Sequence, residues 1–345
     1  MSVDVMASMK DIAETAGCSV STVSRVLKNK GEIAPATRKK ILAIAEKFGY
    51  HDNRLIYGIR TGHTQTIGLV CDFSNLFFQR IASAIEQEMR KRDYLVIFCS
   101  QPEEDDQKTL KRLVEQRVDG VILVPRNDFA DTEYFRDVIS RGLPIITIDR
   151  KTPANVDYIG SDDLLCGRLM AEHFHLLGHR RIAYYAGPPY ASPAQLRLQG
   201  FADFCREHPE ISLTILRGSE VNGCDPEEEM LTRFLKKHRE ITAIGTFYDY
   251  FAYDVCRAAL KLGRRIPEDL AVAGVGDMVP ERARMFELTS IDQQPEKIAE
   301  AAARRMLARL ALNRDETLTP VEIRIEPRLV IRNSTIKGVF TGICG

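Results

Sequence analysis

Short apolar runs alternate with amphipathic helical segments from Thr66 almost to the C-terminus. Over residues 67–160 the runs are IGLVC, YLVIFC, GVILVP, IITID and YIG, and over residues 181–275 they are RIAYYAG, LTIL, AIGTF and LAVAGV. Strands that are apolar throughout, each followed by a helix, predict parallel sheets covered on both faces. We expect an α/β body of two doubly wound parallel-sheet subdomains. The cleft between them is the expected ligand site, because ligands of such sheets bind outside the carboxyl ends of strands.

The N-terminal segment DIAETAGCSVSTVSRVL, residues 11–27, has the spacing of a helix-turn-helix. Ala13 is small enough to let two helices cross closely, Gly17 can adopt the positive φ of the turn, and Val23 buries an apolar group. Ser19 is a natural N-cap for the second helix. The alternative is an ordinary helical hairpin with a coincidental alanine and glycine. Small hydroxyls and one guanidinium suit a helix pressed against a DNA groove, and they fall on its exposed face together with a valine: Val20, Ser21, Ser24 and Arg25.

A third helix is predicted from Pro35 to Gly49, with apolar residues at helical spacing at Ile41, Ala45 and Phe48. The small all-α head that results is basic. Residues 1–62 contain ten Lys and Arg against six Asp and Glu, whereas residues 63–345 contain 38 against 42. The zero net charge of the chain therefore conceals a basic head on an acidic body, which favours a polyanionic partner for the head.

Composition and motifs exclude several classes of protein. No apolar run approaches the roughly 18 residues that span a bilayer, and no secretory signal is recognisable, so we expect a cytoplasmic protein with no membrane partner. The eight cysteines are scattered without a CxxC pair, which favours free thiols. His173 and His175, two apart on a predicted helix, make a poor chelate. Because GxSxG, HExxH and P-loop patterns are also missing, we expect no metal, no cofactor and no catalysis.

Head, linker and double α/β body in this order resemble the LacI/GalR (lactose-repressor) family of transcription regulators. The resemblance covers about residues 9–336. It rests on the order and spacing of TVSRVL, ATRKKI, GYHDNR, RTGHTQTIGLV, FSNLFF, RVDGVIL, LGHRRIAYYAGP and PRLVIRNST. It implies a homodimeric, sometimes tetrameric, repressor whose heads bind pseudo-palindromic operator DNA. A small metabolite in the cleft, a sugar or sugar derivative, would control operator affinity.

Two other classes share such a body and stay open as alternatives. A solute-binding protein of the periplasmic type would need an export signal and no basic head. An enzyme acting in the cleft would need a nucleophile or a paired acid and base.

The resemblance also sets the expected domain boundaries. The polar, glycine-containing linker is typical of a hinge. We expect a helix-turn-helix domain at residues 1–50, a hinge at 51–65, an effector-binding and dimerisation domain at 66–336 and a tail at 337–345. Within the large domain, one subdomain is expected at 66–161 and 293–320, and the other at 162–290 and 321–336.

By resemblance, the base-reading positions of the head are Val20, Ser21 and Arg25. Arg25 is the candidate for a bidentate contact to guanine, worth about 1–3 kcal/mol of discrimination. Val20 is placed to touch a thymine methyl group. Contacts to phosphate and sugar, which set register without reading sequence, are expected from Ser19, Thr22, Ser24, Asn53 and Arg54.

The hinge departs from the family pattern, in which a short helix places an alanine in the minor groove and a leucine in the central base step. Ile56 and Ile59 stand at those places, and Asp52 stands where a proline is usual. Gly58 costs about 1 kcal/mol relative to alanine within a helix. Ile59 is the expected wedge between bases. The alternative is that both isoleucines pack between head and body or between protomers.

The effector residues are likewise assigned by resemblance. Arg197, in QLRLQGF, matches the family's ligand-gripping arginine, and a structural ion pair is its alternative role. The turn GVGD at 274–277 has a glycine at the first of two acidic places and Asp277 at the second. Tyr248-Asp249 replaces an asparagine–aspartate pair, which favours a flatter, larger or anionic ligand, a pentose or hexose stacked on Tyr248 being the alternative. The remaining predicted effector residues are Phe73, Phe77, Asp149, Arg150 and Gln293.

Overall fold

A computed structural model describes residues 7–27, 31–50, 63–100, 106–125, 132–152, 154–218, 227–278, 287–312, 316 and 318–336. The chain divides into two compact units, Met1–Thr64 and Gln65–Gly345, which we call the head and the body. None of the helices in the described ranges is long and apolar enough to cross a membrane.

Three described helices form the head: α1 (Met9–Ala16), α2 (Val20–Leu27) and α3 (Pro35–Lys47). A capping box begins α1, in which Asp11 Oδ2 accepts from the Ser8 N–H at 2.7 Å and Ser8 Oγ accepts from the Asp11 N–H at 3.3 Å. Gly17 ends α1 with a φ of 70°, as the sequence predicted for the turn. Lys40 of α3 donates to the Ala16 carbonyl at 2.9 Å and neutralises the C-terminal end of α1.

The three helices close over a small apolar core. Ala13 is 3% exposed and Val23 is fully buried, so both residues occupy the positions predicted for them in a helix-turn-helix. α1 and α2 cross at Ala13 because a small side chain lets the two backbones approach. The other buried members of this core are Ile12, Ala16, Val26, Ile41 and Ala45.

A six-stranded parallel sheet in the order β2-β1-β3-β4-β5-β11 forms the first lobe of the body. Its strands are β1 (Thr66–Cys71), β2 (Leu95–Ser100), β3 (Gly120–Leu123), β4 (Ile145–Ile148), β5 (Asp157–Ser161) and β11 (Glu322–Ile325). Its helices are α4 (Leu76–Arg90), α5 (Asp106–Glu115), α6 (Thr132–Ser140) and α11 (Pro295–Leu310). Alternate residues of β1 face different cores, Ile67 and Leu69 one and Val70 the other, so helices cover both faces as predicted.

The second lobe has a six-stranded sheet in the order β7-β6-β8-β9-β10-β12. Its strands are β6 (Arg181–Ala186), β7 (Ser212–Arg217), β8 (Ala243–Thr246), β9 (Ala271–Val275), β10 (Thr289–Asp292) and β12 (Arg328–Val330). Its helices are α7 (Asp163–Leu176), α8 (Ser192–Glu207), α9 (Glu227–Lys237) and α10 (Asp249–Lys261). β12 runs antiparallel to β10, so this sheet is parallel except at one edge.

One predicted subdomain boundary is wrong. The sequence predicts that residues 321–336 belong to the second subdomain, but β11 pairs in parallel with β5 and therefore belongs to the first lobe. The segment EIRI alternates charged and apolar residues at a sheet edge, and nothing in that pattern indicates which sheet it joins. Pairing with β5 decides it, and the crossing to the second lobe falls between β11 and β12.

Hydrogen bonds join the places where the chain crosses between the lobes. The Asp162 N–H, after β5, donates to the Ile325 carbonyl at the end of β11 at 2.9 Å. Asp292, at the end of β10, accepts from the Gln294 N–H at 2.8 Å and from Arg328 at 2.7 Å. The crossing segments thus form a bonded layer between the two sheets.

Two glycines bring α7 and α8 into unusually close contact. A Cβ atom at Gly167 would lie 1.9 Å from the Arg197 carbonyl oxygen, and a Cβ atom at Gly200 would lie 1.9 Å from the Leu164 carbonyl oxygen. Both obstacles are backbone atoms, which cannot rotate away. The contact therefore fixes the backbone of Arg197 against α7.

Replacement of Gly167 by alanine tests this contact. Alanine gains about 1 kcal/mol of helix propensity, but the clash should outweigh the gain and lower the free energy of unfolding by about 1–3 kcal/mol, as measured by urea denaturation. Leu176→Ala is the control, because Leu176 lies on the same helix and is 76% exposed, and it should change stability by less than about 0.5 kcal/mol. Equal effects of the two substitutions would contradict the predicted contact.

Candidate functional site

One face of α2 is exposed and the opposite face is buried in the core of the head. Val20 is 46% exposed, and Ser21 and Arg25 are exposed as well. Val23 and Val26 are buried. The three predicted base-reading side chains therefore share the outer face of α2, and an exposed valine there has no core to pack against.

Ser19 caps the N-terminal end of α2, as the sequence predicted. Its Oγ accepts from the Thr22 N–H at 3.1 Å, and the two side-chain hydroxyls lie 2.9 Å apart. Ser24 is half-buried. The predicted contacts Asn53, Arg54 and Ile59 lie outside the described residues, as do the other hinge residues singled out in the sequence.

In the body, the strand ends of the two lobes face one another. Asp149 follows β4 of the first lobe, and its charge acts on Arg197 of the second lobe. Three non-glycine residues at strand ends have positive φ: Asp149 at 63°, Asp277 at 45° and Gln294 at 56°. Such backbone strain concentrates at ligand sites and hinges, where surrounding contacts hold it in place.

Arg197 is 3% exposed and takes part in the ion pair that the sequence analysis gave as its alternative role. Its Nε donates to Asp163 Oδ1 at 2.7 Å and its Nη1 donates to the Phe247 carbonyl at 3.0 Å. The guanidinium carbon lies 5.0 Å from the centroid of the Phe247 ring. These contacts use two of the five guanidinium N–H groups, and the rest have no acceptor among the described residues.

Asp249 is bonded within the second lobe, and its predicted effector contact stays a prediction. Its Oδ1 accepts from the Ser290 hydroxyl at 2.7 Å and its Oδ2 accepts from the Met278 N–H at 3.0 Å. Gly274 provides the necessary room, because a Cβ atom there would lie 2.2 Å from Asp249 Oδ1. Burial raises the pKa of Asp249 to about 6, against the opposing hydrogen bond from Ser290.

Asp277 is also held inside the second lobe. Its Oδ1 lies 2.8 Å from Nη2 of the buried Arg332. Its N–H donates to Ser290 Oγ at 3.0 Å, and its carbonyl accepts from Arg80 of the first lobe at 3.2 Å. These contacts hold Asp277 in place within the protein, and its predicted effector contact stays a prediction.

The predicted aromatic residues lie in or against one apolar cluster that spans the lobes. Phe77 is 3% exposed and belongs to the core of the first lobe, so it is not an open cleft wall. Phe73 and Tyr248 are half-buried and pack against the same cluster, which also includes Met278 of the second lobe. The Tyr248 hydroxyl is buried, with no hydrogen-bond partner in the described part of the chain.

The last two predicted effector residues differ in their surroundings. Arg150 Nε lies 3.8 Å from Asp149 Oδ2, and its Nη1 donates to the Pro125 carbonyl at 3.4 Å. Gln293, on a crossing segment, is 1% exposed, and its side-chain nitrogen has no hydrogen-bond partner within the described ranges. A buried unpaired amide is costly, so the Gln293 side-chain nitrogen is a candidate hydrogen-bond donor.

Sequence reasoning missed two residues that shape this site, Asp163 and Phe247. Asp163 binds Arg197, and Phe247 contacts the same guanidinium with its carbonyl and its ring. The signal for Asp163 was the pair of adjacent acids at residues 162 and 163, immediately before a predicted helix. Asp162 caps that helix, accepting from the Leu165 N–H at 3.1 Å, and Asp163 remains available for Arg197.

A cavity of about 450 Å³ opens elsewhere on the second lobe, between the start of α8 and the edge strand β7. None of the predicted effector residues lines it. Its one ionisable side chain is Arg217, and the rest of its lining is apolar apart from two glutamines. The buried polar side chains described above lie near the strand ends instead, outside this cavity.

An exposed recognition helix in a basic head, with a two-lobed α/β body that carries buried polar groups between its lobes, defines a ligand-responsive DNA-binding regulator. Residues 8–53 match the family model of bacterial regulatory proteins of the lacI family, and residues 171–335 match that of the periplasmic binding protein-like domain. The chain belongs to the LacI family of transcriptional regulators.

Similar proteins include curated repressors matched over nearly their whole length. The ribose operon repressor of Halalkalibacterium halodurans is 26% identical over 96% of this chain and 98% of that repressor. The HTH-type transcriptional repressor PurR of Proteus mirabilis is 28% identical over 97% of this chain and 98% of its own length. The ribose operon repressor of Escherichia coli is 28% identical over 95% of this chain and all of that protein.

Solved structures share the fold. The Lac repressor dimer bound to operator and the anti-inducer ONPF has a TM-score of 0.81 at 23% identity, over 96% of this chain and 99% of that one. The complex of the transcriptional regulator CelR with cellobiose has a TM-score of 0.67 at 24% identity, over 95% of this chain and 99% of that chain.

The raised pKa of Asp249 predicts a pH dependence of stability. The folded-state pKa is about 6 and the ordinary value is 3.8, so between these values the folded protein holds a proton that the unfolded chain releases. The contribution of this group to stability is therefore greatest at low pH and is lost as the pH rises through about 6. Relative to Asp249→Asn, wild-type should lose about 1–3 kcal/mol of unfolding free energy between about pH 4 and pH 7.

Urea unfolding of both proteins at a series of pH values measures this difference, and Asp249→Asn provides the non-titrating reference. A difference that stays constant, or that grows in favour of wild-type as the pH rises, would show that Asp249 is not held in this way.

Proposed function

We propose that the chain is a homodimeric repressor whose operator binding is controlled by a small, carbohydrate-related effector held between the lobes. The observation that carries the proposal is α2, whose outer face presents Val20, Ser21 and Arg25 while its inner face is buried. Its operator is a pseudo-palindromic DNA duplex, because a twofold protein presents two equivalent heads. The protein acts in the cytoplasm, where that DNA lies.

The residues of the head divide into two kinds of contact. Arg25 reads guanine through two hydrogen bonds, and Val20 touches a thymine methyl group. Ser21 lies between them on the same face. Phosphate and sugar contacts that set register come from Ser19, Thr22, Ser24, Asn53 and Arg54, and Ile59 is the wedge in the hinge.

The effector class is proposed from the relatives and from the unpaired donors between the lobes. Two of the similar repressors are named for a ribose operon, and CelR was solved with cellobiose. Tyr248 offers an aromatic face and a buried hydroxyl, and Gln293 offers a buried amide. Such a set suits a ligand with several oxygens and an apolar face.

The same contacts favour a binding site over a catalytic one. A cleft enzyme needs a nucleophile or a paired acid and base. Asp249, an acid at the start of α10, is already bonded to Ser290 and Met278. We propose that the body binds its ligand and returns it unchanged, without a cofactor or metal.

The proposed dimer forms through the edge strands. Each lobe ends in an edge strand with exposed apolar side chains, which in an isolated protomer would be free to pair or aggregate. Leu95 is 54% exposed, Phe98 is 49% exposed on the same strand β2, and Ile215 is 45% exposed on β7. A second copy of the chain is proposed to cover these apolar side chains. A tetramer is the higher assembly from which the dimer has to be distinguished.

Effector control requires that the ligand bind one of two states more tightly, since a ligand with equal affinity for both shifts nothing. A thermal-shift screen of sugars, sugar acids, nucleobases and phosphorylated metabolites identifies ligands, because binding raises the melting temperature. Each hit is then tested on a duplex obtained by selection from random DNA. A hit that is chemically consumed would favour the enzyme alternative.

Arg25→Ala tests the DNA-reading role. Loss of a bidentate guanine contact should reduce the preference for the selected duplex over a scrambled one by about 1–3 kcal/mol, or roughly 5- to 150-fold. Weak, salt-sensitive binding should persist. The affinities are measured by fluorescence anisotropy at several salt concentrations.

Lys39→Ala is the matched control, since it removes one exposed positive charge from α3 of the same head. It should weaken binding to both duplexes alike and leave their ratio unchanged. If Arg25→Ala and wild-type show the same ratio of affinities for the selected and scrambled duplexes, Arg25 does not read a base.

Leu95→Lys tests the proposed dimer. In a twofold interface the substitution occurs twice, and each buried leucine is worth about 1.5–3 kcal/mol, so dimerisation should weaken at least about tenfold in sedimentation equilibrium. Leu176→Lys, at a 76% exposed position of α7, should leave the assembly unchanged. If both variants sediment as wild-type does, the dimer forms elsewhere.

A further inference from the structure

A buried ion pair lies where the effector is proposed to bind. Arg197 and Asp163 are 3% and 2% exposed, and the Arg197 Nε lies 2.7 Å from the Asp163 Oδ1. Burial raises the pKa of Asp163 to about 6 against the attraction of Arg197, so the carboxyl is still ionised at neutral pH. The guanidinium is therefore already neutralised by a residue of the chain.

The Arg197 side chain is not free to swing away. Arg197 is on α8, whose backbone contacts α7 at Gly167 with no room for a Cβ atom. Its Nη1 is bonded to the Phe247 carbonyl, and its carbon lies against the Phe247 ring. Gly187 makes space for that ring, since a Cβ atom there would lie 2.3 Å from it.

A second carboxylate acts on the same pair from the opposite lobe. The charge of Asp149 raises the pKa of both Asp163 and Arg197, in each case behind larger effects of burial and of the ion pair itself. The Asp149 Oδ2 lies 3.8 Å from the Arg150 Nε. Two carboxylates, those of Asp163 and Asp149, therefore act on Arg197, and both would repel an anion that approached it.

We infer that Asp163 sets the charge of the effector: by occupying the Nε edge of Arg197, it makes the site accept an uncharged, oxygen-rich ligand and reject carboxylates and phosphates. This inference rests on the proposed function, because it concerns the same site. The sequence alone left both neutral and anionic ligands open, and this inference selects the neutral ones.

The remaining donors fit an uncharged ligand. Arg197 has N–H groups beyond the two that are bonded, and Tyr248 and Gln293 have buried polar atoms without partners among the described residues. Hydroxyl or carbonyl oxygens satisfy such donors without displacing Asp163. A carboxylate or phosphate would gain most from the guanidinium edge that Asp163 already holds.

Sulfate is a suitable probe, because it offers the charge and oxygens of an anionic ligand without requiring that the effector be known. In Asp163→Asn the guanidinium loses its counterion and becomes an anion site. Sulfate should raise the melting temperature of the full-length variant in a saturable manner, with an apparent affinity at least about tenfold higher than for wild-type. Sodium chloride at equal ionic strength corrects for general salt effects.

Two variants control for charge and folding. Glu207→Gln removes the partner of Arg168, a surface guanidinium that joins the same two helices at 2.8 Å, and it should gain no saturable response. Asp163→Asn combined with Arg197→Gln keeps a neutral pair in place and should lose the response of the single variant. Arg197→Gln alone should respond to sulfate as wild-type does, which tests the inference even if Asp163→Asn does not fold.

The inference is overturned if wild-type shows a saturable sulfate response that Arg197→Gln abolishes, or if folded Asp163→Asn gains none. Failure of the proposed function gives a different result, namely ligands that bind wild-type and leave the affinity for the selected duplex unchanged.

Discussion

Buried charges in this protein are held in pairs that connect separate elements, and the geometry of the body depends on them. An unpaired charge in a protein interior costs several kcal/mol, so each carboxylate must find its cation or hydrogen-bond donors. Asp163 joins α7 to Arg197 of α8, and the fully buried Asp157 joins β5 to Arg309 of α11 at 2.6 Å. Removal of Arg197 would leave Asp163 buried without its cation, whereas Asp157 would keep Arg305, at 3.0 Å, if Arg309 were removed.

The pairs matter most where the two lobes meet, because parallel strands of both sheets end there. Polar side chains that follow those strands cannot all reach water, and they are bonded to crossing segments or to one another. Asp292 is bonded to Gln294 and Arg328, and Asp277 to Arg332. The Tyr248 hydroxyl and the Gln293 side-chain nitrogen have no hydrogen-bond partner among the described residues.

Much of the fold could be predicted from the sequence, since its signals are local. Apolar runs such as those of β1 and β6 gave strands whose observed bounds differ by a residue or two. The turn at Gly17 and the N-cap at Ser19 follow from backbone conformation and a single hydroxyl. β10, β11 and β12 were missed, because TSID, EIRI and RLV are short, polar or at a sheet edge and have no apolar run to mark them.

The sequence by itself determined most of the helices and strands, which face of α2 is apolar, and that a basic head precedes an acidic α/β body. These properties depend on neighbours within a turn or a strand. Tertiary structure alone decided that Asp163 neutralises Arg197, that Asp249 accepts from Ser290, and that β11 joins the first sheet. Each involves groups at least 34 residues apart, whose distance only the folding of the chain sets.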